Sequence, residues 1–282
     1  MITYPNCKIN LGLHVVGKRP DGYHDLETIF LPVYDLTDEL EITPLNSQHS
    51  TLNSQLTLAG IPLDSGEGDN LCIKAWQLLH DEFGIPAVTI RLKKNIPFGA
   101  GLGGGSSDAA FTLKMLNALF SLGLTDAALE QHAARLGADC AFFIRNQPAY
   151  ATGIGDQLEP LPELSIFNCC LQDTYCQSDT YSLQDTGRFS IQIEIPEGEH
   201  VSTKEAYAGL NHDLFGTPRP DIRRVVQNPI ETWTESIVND FEASVFPAHP
   251  AIAALKDEMY RRGALYASMT GSGAAVFGIF PK

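Results

Sequence analysis

Between Pro97 and Ala110 the chain reads PFGAGLGGGSSDAA, and five of the seven residues from Gly99 to Gly105 are glycine. Glycine has no Cβ, so such a run can curl with its N–H groups turned inward and let a ligand approach the backbone. The flanks decide its use. Upstream, Val88, Ile90 and Leu92 alternate with Thr89, Arg91 and Lys93, the period of a strand. Downstream, Ala109, Leu113, Leu116 and Phe120 fall at helical spacing. Strand, glycine loop and helix start together gather unpaired N–H groups and the positive end of a helix dipole, a site for phosphate. A flexible linker would not be bracketed so closely by two periodic elements. Gly99, Gly101 and Gly104 spell the dinucleotide fingerprint, but that reading needs a strand after the helix, and a second helical run, Asp126 to Leu136, stands there. No Lys-Ser/Thr follows the last glycine, which argues against a Walker A loop. The HRD and DFG of protein kinases are absent.

The N-terminal segment alternates from Lys8 to Val16. Ile9, Leu11, Leu13 and Val15 lie on one face, and Lys8, Asn10, Gly12 and His14 on the other. The period of two sets Lys8 and Asn10 about 7 Å apart on one side. Periodicity alone does not decide between a solvated and a functional Lys8. Lys18 to Gly22 reads as a turn, with Pro20 presetting φ and Gly22 accepting positive φ. Short strands are expected at Leu40–Thr43 and Gln55–Ala59, with a polar loop, Asn46 to Ser54, between them. Asp69, as the cap, opens a helix to about Phe83 with Leu71, Ala75, Leu78 and Leu79 on its apolar face. The helix ending at Leu136 takes Gly137 as its C′ residue and leaves Asp139 on a loop end. A domain boundary falls near Glu159-Pro160-Leu161-Pro162. Phe167 to Arg188 is polar, lacks a sustained period and holds three of the six cysteines, so it reads as a surface excursion outside the sheet. A strand follows at Ile191, Ile193 and Ile195.

Composition narrows the class. At 282 residues and a net charge of −15, the chain should repel nucleic acid and anionic membranes. A phosphorylated substrate would then require positive charge concentrated locally. The cysteines show no CxxC, which argues against zinc. No signal peptide and no apolar run of spanning length are present, so a reducing cytoplasm is the expected location.

The stretch PxxxGLGGGSSxAA resembles the phosphate loop of the GHMP small-molecule kinases. The segment PNCKINLGLHVVGKRPDGYHDLETIF is similar to the first motif of the branch acting on a cytidine diphosphate-linked polyol. LGADCAFFI, VSTKEAY, NDFE and MTGSGA continue the likeness, with Ala141 where the family has proline. The resemblance implies an α+β, two-domain fold: a ribosomal protein S5 domain 2-like ATP-binding domain over 1–159 and a ferredoxin-like C-terminal domain over 160–282. It implies ATP-dependent phosphorylation of a hydroxyl, with Lys8 and Asp139 catalytic. ATP would be bound by Asn70, Lys94, Pro97, Phe98, Gly99, Ala100, Gly101, Leu102, Gly103, Gly104, Gly105, Ser106 and Ser107. Asn10, Tyr23, His24, Thr203 and Tyr207 would bind the substrate, with Tyr207 stacking on cytosine opposite Tyr23. Gly271, Ser272 and Gly273 would form a glycine turn beside the phosphate loop. Mg²⁺ is expected with ATP, its ligands unassigned, and the protein is expected to be a monomer or weak homodimer. The alternatives are a homoserine- or mevalonate-type kinase, or a catalytically weak nucleotide-binding protein on the same fold.

Overall fold

The computed structural model describes residues 1–45, 54–62, 70–162, 164, 189–212 and 215–282. The excursion expected at 167–188, Asp69 and most of the polar loop at 46–54 lie outside the described residues. In chain order the elements begin β1 (Ile2–Thr3), β2 (Asn6–Lys18), β3 (His24–Thr37), β4 (Glu39–Pro44), β5 (Gln55–Gly60), α1 (Leu71–Phe83), β6 (Val88–Lys94), α2 (Gly104–Leu119), α3 (Asp126–Ala134) and α4 (Phe142–Arg145). There follow β7 (Ala149–Thr152), β8 (Gln157–Pro160), β9 (Phe189–Glu194), α5 (Thr203–Ala208), α6 (Ile222–Val225), α7 (Phe241–Val245), α8 (Pro250–Arg261), β10 (Tyr266–Met269) and β11 (Val276–Pro281).

The chain forms two compact units, each discontinuous in sequence. The first comprises Met1–Cys7, Leu36–Phe98 and Gly103–Asn146, and the second Lys8–Asp35, Gly99–Leu102 and Gln147–Lys282. The sequence around residue 159 lies inside the second unit.

In the first unit, the sheet runs β1-β4-β6-β5, antiparallel except for the parallel β5–β6 pair. The alternation expected before the glycine loop is present: Val88, Ile90 and Leu92 are buried in β6. Helix α1 is capped by Asn70, whose Oδ1 accepts from the Cys72 N–H at 2.9 Å, and it closes on Gly84 in the left-handed region. Its buried face is Cys72, Ala75, Trp76 and Leu79. Leu71 and Leu78 are only half-buried, because the indole of Trp76 takes the inward position. On α2, Ala109, Leu113 and Leu116 are fully buried, as their spacing requires. Helix α3 starts on a Thr125 cap and ends at Ala134, two residues before Leu136. Arg135 donates to His132, a tightened last turn, and Gly137 does not adopt positive φ.

In the second unit, one sheet runs β2-β3-β7-β8 and another β10-β11-β9. Both β10–β11 and β11–β9 are antiparallel, with Ile191 opposite Ile279 and Ile193 opposite Phe277. The α8 residues Ile252 and Met259 are fully buried, and Leu255 packs against the same core as Val245, Phe241 and Val276. Among the described residues, no helix is long and apolar enough to cross a membrane.

Candidate active site

In the first unit, β6 delivers the chain to Pro97 and α2 receives it at Gly104. Gly103 caps α2 with φ 71° and, having no side chain, supplies no cap hydrogen bond. A helix start left without a side-chain cap keeps its orphan N–H donors for another acceptor. Ser106 is half-buried, Gly105 is exposed, and Ser107 is buried with no hydrogen-bond partner for Oγ among the described residues. Pro97 is half-buried and Phe98 is exposed at the loop entrance.

Asp139 sits half-buried in the turn between α3 and α4. The next residue, Cys140, is buried, and α4 just after it is tied to α2 where Lys114 Nζ donates to the Ile144 carbonyl at 3.0 Å. Burial pushes the Cys140 thiol up to about 12, with nearby Ser106 opposing and Asp139 adding to it. Ala141 has φ −61° and ψ −34°. Proline fixes φ near this value, so alanine keeps the backbone that proline would impose.

Lys94 is buried beneath this helix start. Its Nζ donates to Asp38 Oδ2 and, at 2.6 Å, to Asp108 Oδ2. Asp38 Oδ1 also accepts from the Asn95 and Ile96 N–H groups at 2.6 and 2.8 Å, which ties the end of β6 to the triad. Burial alone would lower the Lys94 pKa, but the two carboxylates outweigh it and raise it. Asp108 is pushed up to about 7 by burial, with Lys94 opposing and Asp38 reinforcing the shift. The Lys94 charge is thus spent on two carboxylates that strand and helix periodicity do not reveal.

In the second unit, Lys8 and Asn10 lie on β2, both almost fully buried. Lys8 Nζ donates to Asn10 Oδ1 at 2.6 Å and lies 4.9 Å from the centroid of the Phe30 ring. The Asn10 N–H donates to Thr270 Oγ1 at 2.9 Å, and Asn10 Nδ2 donates to Thr28 Oγ1 at 3.0 Å. Burial excludes the solvated-surface reading of Lys8.

The loop tip Gly99–Leu102 packs on the glycine turn of this unit. A Cβ on Gly101, which has φ +80°, would lie 2.1 Å from the Thr270 carbonyl oxygen; one on Gly273 would lie 2.1 Å from the Ala100 carbonyl carbon. Only glycine permits that approach at both points. The Ala275 N–H donates to the Ala100 carbonyl at 3.2 Å, and the Lys8 N–H to the Leu102 carbonyl at 2.9 Å. Gly271 is buried and also has positive φ. Asn239 Nδ2 donates to the Met269 and Gly271 carbonyls at 2.8 and 2.9 Å, pinning the turn from behind.

Thr203 and Tyr207 share a face of α5, and Ser272 Oγ donates to Thr203 Oγ1 at 3.2 Å. The ring against Tyr207 is His24, with centroids 4.7 Å apart; Phe215 approaches His24 edge-on at 6.0 Å, and Phe241 meets Tyr207 at 4.8 Å. Burial, Lys18 and His212 lower the His24 pKa. Tyr23 is 62% exposed, and its N–H donates to Asp21 Oδ1 at 3.0 Å. Sequence reasoning assigns no role to Asp38, Asp108, Thr28, Thr270, Asn239 or Phe215. Asp108, Thr270 and Asn239 fall within the glycine-loop, MTGSGA and NDFE stretches, and no short-range pattern marks the others.

The family model described as GHMP kinases N terminal domain matches residues 70–147, and that described as GHMP kinases C terminal matches 223–282. A 4-diphosphocytidyl-2-C-methyl-D-erythritol kinase from Azobacteroides pseudotrichonymphae is 44% identical over 100% of this chain and 94% of its own length. One from Bacteroides thetaiotaomicron is 46% identical over 99% of this chain and 92% of its own. The crystal structure of a 4-(cytidine 5'-diphospho)-2C-methyl-D-erythritol kinase superposes with TM-score 0.74 at 31% identity, covering 99% of this chain and 89% of that one. The chain belongs to the GHMP kinases and, within them, to the 4-diphosphocytidyl-2-C-methyl-D-erythritol kinase family.

Proposed function

We infer that the chain is the ATP-dependent kinase that phosphorylates the 2-hydroxyl of 4-diphosphocytidyl-2-C-methyl-D-erythritol in the non-mevalonate isoprenoid pathway. One observation in the fold supports the chemistry: the Asp139 turn leads through buried Cys140 into α4, and Lys114 ties α4 to α2, the helix whose open start follows the glycine loop. A carboxylate held beside a phosphate-binding helix start is what phosphoryl transfer to a hydroxyl requires. Asp139 accepts the hydroxyl proton. Lys8, steadied by Asn10, orients the hydroxyl. The N–H groups of the loop from Pro97 to Ser107 take up β- and γ-phosphate charge, with Asn70 and Lys94 at the nucleotide. Lys94 acts through its buried triad, which holds the end of β6 against α2. His24 and Tyr207, with Tyr23 at the rim, bind the cytosine, and Thr203 lines the same face.

Mg²⁺ would come with the nucleotide, its protein ligands unassigned, since this ion is usually held by phosphate oxygens and water with one or two carboxylates. When bound, the ion neutralises phosphate charge. We keep the division into an ATP-binding domain over 1–159 and a C-terminal domain over 160–282 as the evolutionary reading of the chain, and the enzyme as a cytoplasmic monomer or weak homodimer.

ATP turnover measured with the cytidylyl substrate, with homoserine and with mevalonate tests the assignment. The cytidylyl substrate should be preferred by at least about 10³-fold in kcat/KM, since a site built to hydrogen-bond a polar group rejects compounds lacking it. Preference for either small alcohol would overturn it. A second measurement addresses the base. Tyr23→Ala should raise KM for the cytidylyl substrate about 5- to 100-fold, from a stacking contribution of about 1–3 kcal/mol, and leave KM for ATP unchanged. The ring is exposed, so its removal costs little stability. Equal weakening of both substrates would place the residue on the nucleotide side.

A further inference from the structure

The substrate read above carries a diphosphate between its base and its reacting polyol, in a protein with a net charge of −15. A cation of the second unit would complement that charge. Nine arginines are described with side-chain exposures, and Arg219, at 17%, is the least exposed; the others range from 35% to 88%. Arg19, the arginine nearest the base-binding turn in sequence, is already engaged by Asp21 and Asp25. Arg219 Nη1 donates to Asp240 Oδ1 at 2.6 Å, and Asp240 Oδ2 accepts the Val15 N–H at 2.8 Å. The guanidinium is thereby tethered beside β2 at Val15. That point lies five residues beyond Asn10 and three before Lys18, about 16 Å and about 10 Å along an extended strand. One end of that strand carries the groups proposed for the hydroxyl, and the other leads into the turn bearing Tyr23 and His24.

We propose that Arg219 binds the diphosphate of the substrate, a proposal that rests on the cytidylyl reading of this site. A guanidinium offers five N–H donors in a planar fork that fits phosphate oxygens, and Asp240 fixes one nitrogen while leaving the rest of the fork to a ligand. The neighbouring charges favour this use. His14, on the same strand, is 1% exposed, and neither of its ring nitrogens has a hydrogen-bond partner among the described residues. Burial, then Arg219, lowers its pKa, while Asp240 and Glu27 pull the other way. A neutral His14 does not compete with Arg219 for Asp240. The tether also reaches the other half of the chemistry, because Asn239, the residue before Asp240, holds the glycine turn through the Met269 and Gly271 carbonyls.

Calorimetric titration of the full chain with CDP and with cytidine tests this. The wild type should bind CDP more tightly than cytidine. Arg219→Met should cut that advantage by about 10- to 100-fold, the worth of a charge-assisted hydrogen bond or two, with cytidine affinity unchanged. KM for the cytidylyl substrate should rise in parallel while KM for ATP stays constant. Arg219→Met leaves Asp240 buried without its cation, so the double variant Arg219→Met/Asp240→Asn, checked for native circular dichroism, should show the same loss. An intact CDP advantage in either variant, or an equal fall in CDP and cytidine affinity, overturns the role of Arg219 and leaves the substrate reading standing. A wild type that binds neither compound sinks the substrate reading and this proposal with it.

Discussion

Replacing Asp139 by alanine should lower kcat by about 10²- to 10⁴-fold while leaving ATP affinity nearly unchanged. Loss of a general base acts on the chemical step, and the loop N–H groups proposed to bind the nucleotide are left in place by the substitution. The fold should tolerate the change, since the turn is anchored by buried Cys140, Phe142 and Phe143, while the Asp139 carboxylate is only half-buried. Asp139→Asn is the sharper variant, because it keeps the shape and removes only the capacity to accept a proton. Single-turnover kinetics with saturating ATP would isolate the transfer step from product release. Near-normal transfer in both variants would remove Asp139 from the mechanism and leave positioning and electrostatics to account for the rate.

The largest stability effect is expected at Lys94. Lys94→Met should destabilise the first unit by about 3–5 kcal/mol, the usual cost of leaving a buried charge partner without its counterpart. Asp38 and Asp108 would remain side by side with no cation between them. Adding Asp108→Asn should recover part of the loss by removing one of the two like charges. Urea unfolding as a function of pH carries a second reading. Asp108 has a folded pKa near 7, above its ordinary value, so between about pH 4 and pH 7 the folded protein holds a proton that the unfolded chain has released. Stability from this group therefore falls as pH rises through that window and levels off above it. Asp108→Asn should flatten that fall. A Lys94→Met protein within about 1 kcal/mol of wild type would show that the triad is not the strut described above.

Interactions that close within a few residues are legible in the sequence alone. The alternation in β6, the helical face of α2, the Thr203–Tyr207 pair and the side shared by Lys8 and Asn10 all follow from periods of 2 and 3.6. The uncapped, glycine-led start of α2 follows from the same local chemistry. Even within single elements, packing overrides some expectations. In α1 the inward position goes to Trp76 instead of Leu78, because periodicity ranks residues by polarity and cannot weigh the volume a neighbour leaves to fill.

The sequence by itself determined the strongly periodic elements such as β6 and α2, the glycine loop between them, and the identity of the residues available for chemistry. Tertiary structure decided what those residues touch. Lys94 meets Asp38 from 56 positions away, and Asn10 meets Thr270 across 260. The glycines at 101 and 273 are required by backbones that approach each other only in the folded chain. Burial converts such encounters into pKa shifts and fixed geometry, and burial is a property of the assembled core. A local reading finds a lysine and a carboxylate, and only the fold says which of them are spent on each other and which are left for a substrate.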